Sequence, residues 1–279
     1  MNGDDFSDAA LVVLGHGTTL NENSAAPVRQ HAAELRRRNL FAAVHEAFWK
    51  QDPQIRNVLA ETTAPRVFIV PLFISEGYFG GEVIPRELGF TKHSTLQLQH
   101  STIYYCQPVG THDRMTDVLL ARARDVIEQF PFPRAPKPKD LTLFIAGHGT
   151  KKSDQSRQAI ERQVERLRAL NLYAGVEAIF LEESPRIADC YLLARTRSLV
   201  VVPFFISDGL HTQEDIPVLL GEAKTVVQQR LAAGRPPWRN PTEKSGRLVW
   251  YAAAIGSEPH LADVILERVK EAAIRGGGL

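Results

Sequence analysis

Short apolar runs of strand length alternate along this chain with stretches of helical periodicity, and each run ends in polar, glycine-containing sequence. Residues 9–14 predict a first strand, which leads into GHGT at 15–18. Residues 23–39 predict a helix, because Val28, Ala32 and Leu35 fall on one helical face and the segment ends in RRRN. A second strand is expected over 41–49, and Asp52 followed by Pro53 carries the cap-then-proline signal that opens a short helix. The run 66–74, RVFIVPLFI, is apolar on both faces, as suits a central parallel strand covered by helices on each side. After SEGYFGGEVIP come a fourth strand over 102–106 and a helix from about 112 to 129.

The segment 130–140, FPFPRAPKPKD, has four prolines in eleven residues and can be neither helix nor central strand, so it predicts a linker. Beyond it the same order begins again at a constant offset of 132. His16 maps onto His148, Asn39 onto Asn171, Phe48 onto Phe180, Pro53 onto Pro185, Pro71 onto Pro203, Ser75 onto Ser207, and Ile84-Pro85 onto Ile216-Pro217. A register that holds without a gap over about seventy residues marks an internal duplication. It slips only beyond Pro217: Gly110 aligns with Gly256 at an offset of 146, so the second half carries fourteen extra residues around 232–246. A longer helix plus a surface loop is expected there. The fold expected is α/β, with two similar Rossmann-like lobes at 1–130 and 141–279 joined by the linker at 131–140. Each lobe should hold a parallel sheet of about four strands flanked by helices, and the lobes should face each other across a cleft.

In the second half, LTLFIAGHGTKKSDQ, VEAIFLEESPRIAD and SLVVVPFFISDGLHTQEDIP each place one metal-binding or proton-moving group after an apolar run: His148, Glu182 and His211. Parallel strands deliver their C-terminal ends to one sheet edge, so these three could meet in a crevice there. The duplication supplies its own comparison. The glycines of GHGT, the proline of the third strand and the Ile-Pro pair are shared, and the fold explains them. Lys50 stands where the second half has Glu182, and Phe79 stands where it has His211. Two imidazoles and a carboxylate suit Fe, Co, Ni or Zn, whereas His16, Lys50 and Phe79 do not. Taken singly, each group has a structural explanation: a histidine between glycines can bond a backbone carbonyl, and Glu182 or Glu183 can favour the start of the next helix. The joint reading rests on the shared sheet edge and on the absence of two of the three from the duplicate.

The totals narrow the classes. A chain of 279 residues with 44% hydrophobic and 23% charged residues is a globular one. Its formal net charge of +1 gives no general affinity for polyanions. Cys106 and Cys190 lie in different halves and form no CxxC pair, against a disulfide framework or a thiolate zinc site. The first residues, MNGDDFSDAALVVLG, are acidic where an export signal needs basic groups, and no apolar run approaches the roughly twenty residues of a membrane span. A reduced, cytoplasmic setting is expected, with no membrane and no nucleic acid as partner.

GHGT at 147–150, FLEESP at 180–185 and VVPFFISDGLHTQEDIP at 201–217 resemble the class II chelatases of tetrapyrrole synthesis, in particular the sirohydrochlorin cobaltochelatase and ferrochelatase (CbiX-like) group. LVVLGHGT and VPLFISEGYFGGEVIP echo the pattern in the first half. The resemblance implies a bilobal chelatase fold whose cleft holds a planar macrocycle. His148 and His211 would then be the metal histidines and Glu182 the acidic residue that assists them or takes pyrrole protons. The first lobe would be a degenerate copy, leaving the role of His16 open.

A substrate with many carboxylates calls for cations and helix starts around an apolar floor. Lys151 and Lys152 follow GHGT, Arg186 begins the helix after Glu182, Lys50 would face Glu182 under two-fold symmetry of the lobes, and Tyr78 and Phe79 could pack against the ring. No tightly bound cofactor is expected. The resemblance implies that a divalent metal, Co2+ or Fe2+, would be a substrate, for cobalamin or siroheme synthesis. A monomer is the expected assembly, with a dimer as the alternative. One rival is a non-catalytic metal or tetrapyrrole binder of the same fold. Another is a phosphate-handling enzyme, although neither GHGT matches GxxxxGK[ST] or GxGxxG.

Overall fold

The computed structural model describes residues 5–18, 24–90, 95–149 and 154–276, so Lys151 and Lys152 lie outside the described residues. The first half runs β1 (Ala9–Gly15), α1 (Ala26–Arg38), β2 (Ala43–Phe48), α2 (Ile55–Glu61) and β3 (Arg66–Pro71). A π turn, Phe79–Val83, then continues into α3 (Ile84–Glu87), followed by β4 (Thr95–Leu98), β5 (Ser101–Tyr105) and α4 (Met115–Gln129). The second half repeats the order with β6 (Leu141–Gly147), α5 (Gln155–Ala169), β7 (Gly175–Phe180), α6 (Cys190–Leu193) and β8 (Ser198–Pro203). Its π turn, His211–Asp215, continues into α7 (Ile216–Leu219), α8 (Lys224–Ala232), β9 (Thr242–Lys244), β10 (Arg247–Tyr251) and α9 (Leu261–Gly276).

The apolar periodicities explain these elements. Every residue of β1 and of β6 is buried, as befits strands at the centre of a sheet covered on both faces. Helix α1 buries Val28, Ala32 and Leu35 and stops at Asn39, which is left-handed at φ 51°. Its counterpart Asn171 has φ 50°. The two sheets have the same topology, β2-β1-β3-β5-β4 and β7-β6-β8-β10-β9. The strand order reverses beside β1 and beside β6, which is where parallel α/β sheets open a crevice at their C-terminal edge.

Each sheet has five strands where the sequence suggested about four. The additions are the antiparallel edges β4 and β9, whose sequences TLQL and TEK carry little apolar signal. The Asp52-Pro53 signal also misplaced a helix start. Gln54 caps α2, while the Pro53 carbonyl accepts the Phe48 N–H at 2.9 Å. The fourteen extra residues of the second half form a separate helix, α8, and a loop that buries Trp238 at 2% exposure, so the loop is part of the core and not only surface.

The compact units do not follow the two chain halves. One comprises Met1–Met115 with Pro259–Leu279, and the other Thr116–Glu258. Helix α9 therefore packs on β3, β5 and α1 of the first sheet's unit. Helix α4 belongs to the second unit, where Thr116 Oγ1 donates to Gln163 Oε1 at 2.8 Å and Trp250 Nε1 donates to Phe130 O at 2.9 Å just past the helix end. The halves exchange their last helices, in place of a division at the linker. No helix among the described residues is long and apolar enough to cross a membrane.

Candidate metal centre in the second unit

Strand β6 ends in a turn that only glycine fits. Gly149 has φ +63°, and a Cβ there would lie 2.9 Å from Phe180 Cβ. The turn is fastened to the end of β7, since the Leu181 N–H donates to Gly147 O at 3.0 Å and the Glu182 N–H to His148 O at 3.1 Å. His148 and Glu182 are thus set side by side by backbone bonds, with His148 Nε2 3.8 Å from Glu182 Oε1. His148 Nδ1 lies 2.9 Å from Gly149 O. A carbonyl can only accept, so Nδ1 carries the proton and the Nε2 lone pair is left for a ligand.

His211 arrives from β8 on the first residue of the π turn, a geometry that recurs at functional sites. Its Nδ1 lies 2.7 Å from Asp215 Oδ2, and the ionised carboxylate likewise fixes Nδ1–H and frees Nε2. The His148 and His211 ring centroids are 4.8 Å apart with planes crossed at 83°. Both rings and Glu182 line a cavity of about 450 Å³ together with Glu214, Asp215 and Lys224, over an apolar surface that includes Leu181, Leu210 and Leu219. The side chains of His148, Glu182 and His211 are 36%, 57% and 43% exposed, so a hydrated ion can reach all three. Among the described residues no three His, Cys, Asp or Glu groups are already placed to hold a metal ion. The site is an open set of donors and not a closed cage.

The geometry separates neighbours that the sequence left equivalent. Glu183 accepts from Arg157 Nη1 at 2.8 Å, and its side chain is 14% exposed, so it anchors α5 to the loop while Glu182 faces the histidine. Arg186 precedes a short 3-10 turn instead of beginning a helix, turns its guanidinium toward Leu181 O at 3.5 Å, and does not line the cavity. Asp215, Glu214 and Lys224 were not picked out from sequence. Asp215 was findable, because its counterpart in the first half is Val83.

The equivalent place in the first unit has the same backbone and different chemistry. His16 Nδ1 lies 2.9 Å from Gly17 O, and the Lys50 N–H donates to His16 O at 2.9 Å. The His16 ring packs edge-on against Trp49 at 5.3 Å and against Phe79 at 5.6 Å. Lys50 Nζ lies 4.7 Å from the Trp49 ring centre and 5.7 Å from that of Phe79, within cation–π range. Tyr78 adjoins Phe79 at 5.7 Å, and both are exposed. His16, Lys50, Tyr78 and Phe79 thus gather into one aromatic and cationic patch that also includes Trp49.

A protein from Halobacterium salinarum named probable sirohydrochlorin cobaltochelatase is 40% identical over 279 residues, covering 94% of this chain and 91% of its own. The sirohydrochlorin cobaltochelatase of Methanopyrus kandleri is 26% identical and aligns with 47% of this chain and 96% of itself. Among solved structures, a multi-domain protein of Deinococcus radiodurans described as similar to chelatases superposes with a TM-score of 0.74 at 28% identity, over 93% of this chain and 54% of that one. The fold is also that of SirB from Bacillus subtilis solved with Fe3+, at a TM-score of 0.66 and 17% identity over 97% of each chain. The CbiX family model matches twice, at residues 10–126 and 142–272, once in each half of the duplication. The chain belongs to the CbiX family.

Proposed function

We propose that this protein is a sirohydrochlorin chelatase, inserting Co2+ or Fe2+ into the macrocycle at His148, Glu182 and His211. The observation that carries the reading is the convergence of two crossed imidazoles, 4.8 Å apart, with a carboxylate 3.8 Å from one of them, all delivered from strand ends of one sheet. The names of the relatives support the same substrate class.

Insertion exchanges a hydrated divalent ion and two pyrrole N–H groups for a metallated ring, two released protons and free water. The Nε2 lone pairs of His148 and His211 replace aqua ligands on the incoming ion, and imidazole holds such ions less firmly than thiolate would. Glu182, exposed and beside His148, is placed to take a pyrrole proton as a general base. Lys224, in the cavity wall, offers charge for one of the eight carboxylates of sirohydrochlorin. The patch of His16, Lys50, Tyr78 and Phe79 in the first unit offers apolar faces and one ammonium of its own.

The test incubates the purified protein anaerobically with sirohydrochlorin and Co2+ or Fe2+ in separate reactions, following the absorbance change on metallation. Many turnovers are expected for wild type, and residual rates for His148→Ala, His211→Ala and Glu182→Gln. Equal rates for wild type and all three variants would overturn the assignment of these residues. Stoichiometric uptake without turnover would favour a carrier of the same fold.

A further inference from the structure

A second cavity of about 460 Å³ lies wholly within the second unit and shares no residue with the one around His148. Its walls come from α4, the loop after β8, the end of β10, and the segment that the second half has in excess of the first. That segment is built into place. Trp238 Nε1 donates to Val249 O at 3.1 Å, and Asn240 grips the Tyr251 backbone from both sides, accepting from its N–H at 2.7 Å and donating to its carbonyl at 2.8 Å. The first half has no such insertion, so the duplication does not account for the cavity.

The wall chemistry is apolar with a cationic bias. Three arginines, Arg122, Arg230 and Arg239, line it against two acids, Asp125 and Asp208. Both acids have cationic or N–H neighbours of their own: Asp125 lies 3.7 Å from Arg124 Nε, and Asp208 Oδ1 accepts the Ala254 N–H at 3.1 Å. Arg230 Nε is anchored on Pro236 O at 2.7 Å, which holds the guanidinium at the wall and leaves its terminal nitrogens for other partners. Arg122 donates from Nη2 to Ser257 Oγ at 2.9 Å, and its buried Nε, without a hydrogen bond, is ion-paired with the buried Glu258 Oε2 at 3.7 Å, so Arg230 and Arg239 are the arginines left to meet a ligand. Around these charges stand Phe130, Trp238 and Tyr251. A few aimed polar groups in an apolar cavity of several hundred Å³ is the usual composition of a small-molecule site.

We propose that this cavity is a second ligand site, which takes a small organic anion with a flat apolar body and a carboxylate. The body lies against the aromatic wall and the carboxylate meets the arginines, whose planar guanidinium suits two-point recognition of that group. The site adjoins the metal centre through the chain itself. Asp208 and Gln213 line it on either side of His211 in sequence, and the Tyr251 hydroxyl donates to Thr212 O at 2.7 Å.

Calorimetric titration of the full chain with 2-naphthoate, its neutral amide 2-naphthamide, and inorganic phosphate tests this. One molecule of 2-naphthoate should bind per chain, and the amide should bind about tenfold more weakly or worse for want of the charge-assisted contacts. The Arg230→Ala/Arg239→Ala variant should lose affinity for 2-naphthoate by a similar factor, whereas His148→Ala should retain it. Arg239→Gln, altering one exposed side chain, repeats the test should the double variant fold poorly. No binding of 2-naphthoate, equal binding of the amide, tighter binding of phosphate, or loss confined to His148→Ala would each overturn the proposal. The last result would assign the binding to the metal centre.

Discussion

Replacing Asp215 by asparagine tests whether it keeps His211 ready for the metal ion proposed to bind there. In the native protein His211 Nδ1–H donates to Asp215 Oδ2 at 2.7 Å, and an ionised carboxylate can only accept. The proton therefore stays on Nδ1, and the Nε2 lone pair is held toward the cavity. Asparagine preserves the size but removes the charge, and its NH2 group can turn to the ring and stabilise the other tautomer. In that tautomer Nε2 carries the proton and cannot ligate. A hydrogen bond to a charged partner contributes about 1.5–3 kcal/mol where it is well shielded. Both side chains are 43% exposed, so solvent screening brings the term to about 1 kcal/mol, roughly a fivefold effect. Removing carboxylates behind metal-binding histidines costs about 10–100-fold in affinity or activity, and the exposure favours the lower end.

The expected result is a loss of about five- to tenfold in kcat/KM for the metal, with the KM for sirohydrochlorin unchanged. Anaerobic initial rates measured with Co2+ varied at saturating sirohydrochlorin, and then the reverse, give both parameters. A variant whose metal kinetics stay within about twofold of wild type would refute the reasoning, as would a loss confined to the sirohydrochlorin KM.

Gly256→Ala should destabilise the protein by more than about 3 kcal/mol in denaturant titration, because its Cβ would lie 1.5 Å from Ile206 O, while Gly209→Ala, which meets nothing within 4 Å, should cost far less. Cys106 and Cys190 are buried, and burial pushes both thiols up to about 12, so neither should be alkylated by iodoacetamide at pH 8 until the protein is unfolded, as read by intact mass. Lys50→Glu/Phe79→His should give the first unit a metal-binding trio with His16, seen as a second equivalent of Co2+ bound in equilibrium dialysis and absent from wild type.

Much of the candidate site was legible in the sequence because the chain contains its own comparison. The two GHG turns hold their histidines alike, each with Nδ1 2.9 Å from the following carbonyl, so the turn is a property of the backbone. Ring crossing is alike too: His16 meets Phe79 at 82° and His148 meets His211 at 83°. What differs is which side chain occupies each place, and that difference pointed to Glu182 and His211. The same comparison, Asp215 against Val83, exposes the residue that orients His211. Lys224 was beyond such reasoning, since it follows the point where the two halves lose register.

The exchange of the last helices was illegible for a related reason. Helix α4 buries Val118, Leu119, Val126 and Ile127, and α9 buries Leu261, Val264, Ile265 and Val269, so both present an apolar stripe of similar width. Periodicity states that each sheet needs a helix over one face, but copies of one ancestral helix satisfy that need equally well. Side-chain pairings decide which copy goes where. Thr116 meets Gln163 in the second unit, and Arg268 donates to the Pro108 carbonyl and to Thr111 Oγ1 in the first. These are polar contacts between residues far apart in sequence, and no hydrophobic pattern encodes them. Neither half cut at the proline-rich linker would keep the helix that covers its own sheet, because each sheet is completed by the other half's last helix.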